Sequence, residues 1–376
     1  MLDPVVNFFE NIFEMVGRGI GLVIAAILWP FVQVGKWYTK RGWIIRGVLG
    51  VTLLGWLVMY GSFFWQTQRW TGFSPDYVAA YKFDEITTEP GEPIVVNGVV
   101  NDNEDGSAVC GPSYIVAVTQ DLIDFNVNQN TWTPSMLASK LGFFGIAWKN
   151  TPYFDNKAAF QRGINEAARR VSRQFVDTLG RVRGTSRIDI NLQKAREQLN
   201  YSEDAWYLSL KGPQISTPSK YREAIESLGK FNESLVKCEA QFDARADNLQ
   251  KFLDEIASAI GSTSDILRGR MEESDAGWFD TRADDRFWFA YGQLYAYYGM
   301  MSGASSDFKS VFNDRSLTKV WERSEDQLRS ALNIQPVIIS NGGESSWIMP
   351  SHLATMGFYL LRVRANLTEM RDVLRN

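Results

Sequence analysis

Histidine and cysteine are almost missing from this chain: its 376 residues include one His and two Cys. A single imidazole cannot build a histidine metal centre and two thiols cannot close a four-cysteine cage, so no metal and no cofactor are expected. A large excess of positive charge is missing too. With 39 Lys+Arg against 43 Asp+Glu the formal net charge is −4, which is not the footprint of a nucleic-acid binder. Internal repeats and low-complexity tracts are lacking, and no G-x-S-x-G, H-E-x-x-H, phosphate-loop or dinucleotide fingerprint stands in a credible context. What is present is 45% apolar residues over a length sufficient for one large or two modest domains, which excludes disorder throughout.

The apolar residues are unevenly spread. Gly47 to Gln68 is a run of 22 uncharged residues, about 33 Å as a helix, which is one bilayer crossing. Trp43 precedes it, and Phe63, Phe64, Trp65 and Trp70 close it, as amphipathic rings do at a membrane interface. A cleaved signal peptide is disfavoured, because the run starts after more than forty residues and exceeds the usual signal core of about 7–15 residues. Lys36, Lys40, Arg41 and Arg46 precede the run with no acid among them, whereas Asp76, Asp84, Glu85 and Glu89 follow it against Arg69 and Lys82. The basic flank stays in the cytoplasm, so everything after Trp70 is expected in the periplasm of a bacterium.

Upstream, Asp3-Pro4 has the form of a helix start, and Val5, Phe8, Phe9, Ile12, Phe13 and Val16 share one side opposite Asn7, Glu10, Asn11 and Glu14, an interfacial pattern. Gly19 to Gly35 is 17 uncharged residues containing Pro30, at the lower limit of a span, and reads as in-plane or re-entrant. The expected organisation is an interfacial or re-entrant segment over 1–46, a transmembrane helix over 47–68, a polar approach segment over 69–106 and a periplasmic helical domain over 107–376.

The fold class expected for that domain is all-α, a multi-helix bundle with minor β-hairpins. Phe160, Ile164, Ala168, Val171, Phe175, Leu179 and Val182 recur at helical steps. After Thr217-Pro218, Tyr221, Leu228, Leu235, Phe242, Leu249 and Ile256 recur every seven residues, with Ile225, Asn232, Glu239, Ala246, Leu253 and Ile260 as heptad partners. Six registers without slippage predict one long coiled-coil-like helix, packed in its own domain or joining copies into a homo-oligomer, with Asn232 and Glu239 as polar seam residues that fix register. The segment 282–303 is apolar nearly all round, through Phe287, Trp288, Tyr291, Leu294, Tyr295, Tyr298 and Met301, and belongs at the centre of the fold. A last helix runs from Ser351 to about Leu374, a short hairpin is expected around Asn97-Gly98, and a second small hairpin or an ordered loop between Val337 and Met349.

Candidate chemistry is sparse. His352 follows Ser351 at a helix start, where a cap is the simpler role than catalysis. Asn101 to Gly106 partly copies a calcium loop, but the twelfth position is Pro112, so the ligand shell cannot close locally. An acid pair for glycoside chemistry, such as Glu344 with Asp284 or Asp285, can converge only through the fold. Cys110 and Cys238 can pair in an oxidising compartment, or Cys238 can stay a buried thiol beside Leu235. Arg162, Arg169, Arg170, Arg173, Arg181, Arg183 and Arg187 either face lipid-headgroup phosphates or another acidic partner, or pair with the acids of their own domain. Phe143, Phe144 and Trp148, in an apolar glycine-broken stretch, form either a membrane- or partner-facing edge or core.

The N-terminal anchor, Cys110-Gly111-Pro112-Ser113, Asn341-Gly342, Ser351-His352-Leu353 and Gly357-Phe358-Tyr359-Leu360 together resemble an uncharacterised bacterial family of inner-membrane-anchored proteins with a domain of unknown function. The likeness runs over nearly the whole chain and implies no activity and no site residues. The leading expectation is a non-enzymatic inner-membrane component whose periplasmic domain binds or scaffolds other envelope proteins. The rivals are a periplasmic enzyme acting on cell-wall glycan or lipid through acidic residues, and a small-ligand sensor built on the aromatic helix.

Overall fold

A computed structural model describes residues 3–96, 99–101, 108–143, 145–151, 154–181, 188–209, 211–274, 277, 280–343 and 349–375. The chain divides into two compact units, Met1–Ser62 and Phe63–Asn376.

The first unit holds α1 (Asp3–Thr39) and most of α2 (Trp43–Gln68). Leu22, Ile27, Trp29 and Phe31 on α1 and Val48, Val51, Leu54 and Leu57 on α2 are all exposed, a display of apolar surface that water does not favour. Gly17–Thr39 (23 residues, mean hydropathy 1.6) and Trp43–Gln68 (26 residues, 1.7) are long and apolar enough to cross a membrane by length and composition. α1 runs unbroken through Pro30, a form open to an in-plane helix as to a spanning one. Tyr38 donates its hydroxyl to the Arg46 carbonyl at 2.8 Å, holding α1 to the start of α2.

The second unit contains α3 (Tyr114–Asp124), α4 (Leu137–Leu141), α5 (Asn156–Gln174), α6 (Ile190–Leu199), α7 (Thr217–Val236), α8 (Ala246–Glu273), α9 (Ala283–Asp307), α10 (Lys309–Asp314), α11 (Thr318–Leu332) and α12 (His352–Arg375). Two hairpins, β1 (Val95–Val96) with β2 (Val99–Val100) and β3 (Leu208–Ser209) with β4 (Gly212–Pro213), are its small antiparallel sheets. The first is the pairing expected around Asn97-Gly98, residues that themselves lie outside the described ones; the second carried no turn signal that was read. Between Val337 and Met349, where a hairpin or an ordered loop is expected, Asn341 makes single bridges to Gly277 and to Ser351, and 344–348 lie outside the described residues.

Helix α9 is the centre of the body. It is buried on nearly every side and packs against α5 and α3, and also meets α8, α11 and α12. α8 lies along α12, and α6 along α7. At Gly163 of α5 and Gly292 of α9 the two backbones touch: a Cβ on Gly163 would lie 2.2 Å from the Phe289 carbonyl oxygen, and one on Gly292 2.2 Å from that of Phe160. Asp307, at the other end of α9, accepts from the Ser113 hydroxyl at 2.7 Å and from the backbone N–H groups of Tyr114 and Ile115 at 2.8 and 3.0 Å. A carboxylate thus caps the N-terminus of α3, whose first amides have no intrahelical acceptor.

The expected single long helix is two. α7 ends at Val236 and α8 begins at Ala246, with Cys238 between them in the left-handed region (φ 58°). The seam is consumed inside the chain, because Tyr221, Leu228 and Leu235 are buried on a helix that packs on α6 and α3, and Leu249, Leu253, Ile256 and Ile260 on one that packs on α12. Asn232 clamps Ser113, accepting from its N–H and donating to its carbonyl at 3.0 Å each, and Glu239 is exposed. Trp70, Phe73, Tyr77, Tyr81 and Phe83 pack on the core, with the Tyr77 ring 4.3 Å from that of Tyr295, and each such ring contributes on the order of 1.5–3 kcal/mol when fully buried.

Candidate functional site

The last turn of α2 is built into the second unit. Phe63 is 1% exposed and Thr67 2%. The Phe63 ring meets Trp148 edge-on at 4.5 Å between centroids, and Phe64 lies 5.1 Å from Phe154. A helix end leaves its last carbonyls without intrahelical donors. Lys157, buried in the first turn of α5, supplies them: its Nζ donates to the carbonyls of Gln66 at 2.9 Å and Arg69 at 2.5 Å, where a cation also meets the negative end of the helix dipole. Burial, and after it Arg69, lower the Lys157 ammonium from the usual lysine range to about 8. The desolvation penalty is therefore in force below about pH 8 and is relieved as pH rises from there toward the unfolded value.

Lys157→Met keeps the length of the side chain and leaves both carbonyls without a donor. We expect a net loss of about 1–3 kcal/mol, the scale of hydrogen bonds from a charged donor, seen as a melting temperature several degrees lower for the full chain in detergent. Unchanged melting would mean that the cap contributes nothing.

Beside this collar sit three carboxyls. Asp155 precedes α5 and is 3% exposed, and Asp284 and Asp285 open α9. The Asp155 carboxyl meets that of Asp285 across the α5–α9 crossing. Burial raises the Asp155 carboxyl well above the carboxylate range, with Asp285 and Asp284 adding to it; burial and then Asp284 raise Asp285, against Arg162 and Arg286. Like charges this close cannot all ionise in a low-dielectric site, so Asp155 and Asp285 hold a proton between them at neutral pH. Two hollows adjoin the pair and share Lys149 and Arg162. One of about 290 Å³ reaches Arg282, Asp285 and Arg286, and the other, of about 310 Å³, reaches Trp148, Asp155 and Asp204. Among the described residues no group of three or more His, Cys, Asp or Glu is arranged to hold a metal ion. The arrangement offers a hydrogen-bond or proton donor beside cations.

A family model described as an uncharacterized protein conserved in bacteria (DUF2333) matches residues 136–376. The chain belongs to this family. The DUF2333 match takes in Asp155, Lys157, Asp284, Asp285 and Cys238, and leaves α1, α2 and Cys110 outside it, so it is shorter than the likeness expected from the sequence. Comparison with curated proteins and with solved structures finds no match.

Four of the seven arginines of the DUF2333 chain pair with acids of their own domain. Arg162 pairs with Glu203 and Asp204, Arg169 with Glu203 and Glu166, Arg170 with Glu166 and Glu255, and Arg173 with Glu255. Carboxylates of α5 itself, of α8 and of the turn after α6 occupy those forks; Arg181 lies past the end of α5, and Arg183 and Arg187 fall outside the described residues. Of the apolar edge, Trp148 is buried against Phe63, Phe143 is exposed, and Phe144 is outside the described residues. Cys110 and Cys238 are joined by a disulfide.

His352 accepts the Ser340 N–H at 2.9 Å through Nδ1, and burial lowers its basicity, while Ser351 caps α12 by accepting the Ala354 N–H at 3.2 Å. Glu344 lies outside the described residues, and so does the calcium-like loop beyond Asn101. Asp284 and Asp285 meet Asp155 instead. Of the aromatic side chains of α9, Tyr291, Tyr295, Tyr297 and Tyr298 are at most 2% exposed, whereas Phe289 lines the hollow beside Asp285. Asp155 and Lys157 were missed by sequence reasoning. Their only signal is two charges flanking Asn156 between aromatic residues, Phe154 and Phe160, which by itself does not separate a buried pair from a solvated turn.

Proposed function

We propose that this protein is a non-catalytic component of the bacterial inner membrane, with α2 crossing the bilayer and the helical body in the periplasm, where it binds or scaffolds other envelope proteins. The observation that carries the reading is the seating of the apolar helix: Phe63 and Thr67 are buried in the body, and Lys157 caps the helix from inside it. The outward apolar side chains of α2 support burial in lipid, and the basic residues Lys36, Lys40, Arg41 and Arg46 support a cytoplasmic location for the α1–α2 connection.

Two measurements test it. A reporter fused after Asn376 is expected to be accessible from the periplasm, and access from the cytosol alone would invert the topology. Crosslinking in intact membranes followed by mass spectrometry is expected to return a reproducible set of envelope proteins, and recovery of only abundant neighbours would defeat the scaffold. The protonated Asp155–Asp285 pair beside cations favours a second reading, an enzyme acting on an envelope glycan or lipid. Turnover of such a substrate by the full chain, abolished by Asp285→Asn, would replace the first reading with the second.

A further inference from the structure

The last turn of α2, from Phe63 on, belongs to the second unit, and its apolar character continues onto a neighbouring turn. Trp148, against which Phe63 packs, also meets Phe154 at 5.6 Å and Phe143 at 6.2 Å between ring centroids, and Phe154 in turn meets Phe64. The surface around these rings is apolar. Phe64 and Trp65 are 47% and 61% exposed, and Leu141, Phe143 and Ile146 are 58%, 41% and 52% exposed. Scattered apolar side chains need no explanation; a group of them joined to the end of a helix long and apolar enough to cross a membrane does.

Two features favour lipid as the medium that covers this group. The first is the backbone. Phe143 and Ile146 exchange N–H···O bonds at 2.8 and 2.9 Å, Gly142 donates to the Ala138 carbonyl at 3.1 Å, and Asn150 donates to that of Ala147 at 2.9 Å. These groups carry their own partners, as chain that leaves water must. Residues that exchange both bonds hold their side chains opposite each other on one face, so Phe143 and Ile146 are displayed together. The second feature is charge. No Asp or Glu occurs between Asp124 and Asp155, and the exposed Lys140 and Lys149 flank the turn. A lysine keeps its ammonium at the headgroups while its methylenes lie along acyl chains, whereas a carboxylate there would be repelled by anionic lipid.

We propose that the turn closed by Phe143 and Ile146 enters the interfacial layer of the bilayer, to a depth of roughly 5–10 Å as interfacial segments do, and is a second attachment of the helical body to lipid. The proposal rests on the reading of α2 as a membrane span. Leu141, Phe143 and Ile146 supply the inserted surface, and Lys140 and Lys149 meet the headgroups.

The test reads depth in vesicles of phosphatidylglycerol and phosphatidylcholine that contain the full chain and no other protein. One added cysteine carries an environment-sensitive fluorophore, in Ile146→Cys, in Leu54→Cys on α2 or in Val95→Cys on β1; Cys110 and Cys238 are joined and take no label. Val95 is the control, being 56% exposed at the far end of α9, where Pro93 bridges Cys110 and Ser113 donates to Asp307. That end is on the order of 35 Å along the helix from Asp285. Lipids bearing a nitroxide quencher near the headgroup or deep in the acyl chain are then compared. Emission from Ile146→Cys is expected to be quenched, more by the shallow nitroxide than by the deep one, Leu54→Cys more by the deep one, and Val95→Cys by neither. Adding Leu141→Ser and Phe143→Ser, on exposed side chains, is expected to remove most of the quenching at Ile146→Cys while melting and the signal of Leu54→Cys stay as they were. No quenching at Ile146→Cys beside a quenched Leu54→Cys would place the turn in water or against protein and overturn this proposal alone. Equal quenching at Val95→Cys, or quenching at Ile146→Cys that survives both serines, would overturn it as well. An unquenched Leu54→Cys would remove the membrane reading and this proposal with it, so the two failures are told apart.

Discussion

Gly163→Ala is expected to destabilise the helical body by about 3–5 kcal/mol, the range of severe overpacking in a core. The added methyl would lie 2.2 Å from the Phe289 carbonyl oxygen, 2.9 Å from the Gln293 nitrogen and 3.0 Å from the Gly292 Cα. All three are backbone atoms of α9, so no rotamer change relieves the clash and the helices must separate. Separation at this crossing also withdraws Phe160, Ile164, Tyr291 and Tyr295, all at most 2% exposed. At roughly 2–4 °C per kcal/mol for domains of about 150–250 residues, the melting temperature should fall by on the order of 10 °C. Gly269→Ala is the control: it sits in α8 with nothing within 4 Å of the added carbon, and helix propensity alone should make it neutral or stabilising by about 0.5–1 kcal/mol. If the two variants melt together, α5 and α9 do not cross backbone to backbone.

The second large effect is the loss of the Cys110–Cys238 bond. Its sequence separation of 128 residues corresponds to about 5 kcal/mol of denatured-chain entropy in the loop-closure treatment. The native attachments on both sides remain without it: Cys110 donates its N–H to the Val236 carbonyl at 2.9 Å, and Asn232 clamps Ser113. The variant Cys110→Ser/Cys238→Ser should therefore reach the same fold with much reduced stability, and reductant should lower the melting temperature of the wild type alone. Material alkylated in intact cells should change mobility on reduction in denaturing electrophoresis. No change would mean that the thiols are free, and with them would go both the extra stability and the oxidising location.

The parts of this architecture that could be read in the sequence are those in which one helix decides its own burial. The stripe Phe160, Ile164, Ala168, Val171 and the all-round apolar run from Phe287 to Met301 fall as their periodicity implies, because burial of a face needs no knowledge of the partner. The heptads from Tyr221 to Ile260 misled for the same reason. Both α7 and α8 need a seam, and the nine residues between them happen to keep the sevenfold count, so periodicity cannot see the break at Cys238. Cys110-Gly111-Pro112-Ser113 carried a likeness without a mechanism. In the structure Cys110 bonds Cys238, Ser113 opens α3, and a Cβ on Gly111 would stand 2.7 Å from the Glu89 carbonyl oxygen. The carboxyl cluster was illegible, because Asp155 and Asp285 are 130 positions apart and only the α5–α9 crossing brings them together.

Lys157 holding the end of α2 has a kinetic corollary under the anchored reading. A domain on a flexible tether samples a hemisphere whose radius grows with about the square root of linker length, and it captures targets at a distance. Here the first residue after the helix end that packs on the core is Trp70, so no long linker separates the two. Under that reading the capture of distant targets would call for a longer junction, and a Gly-Ser insert after Gln68 would supply the reach.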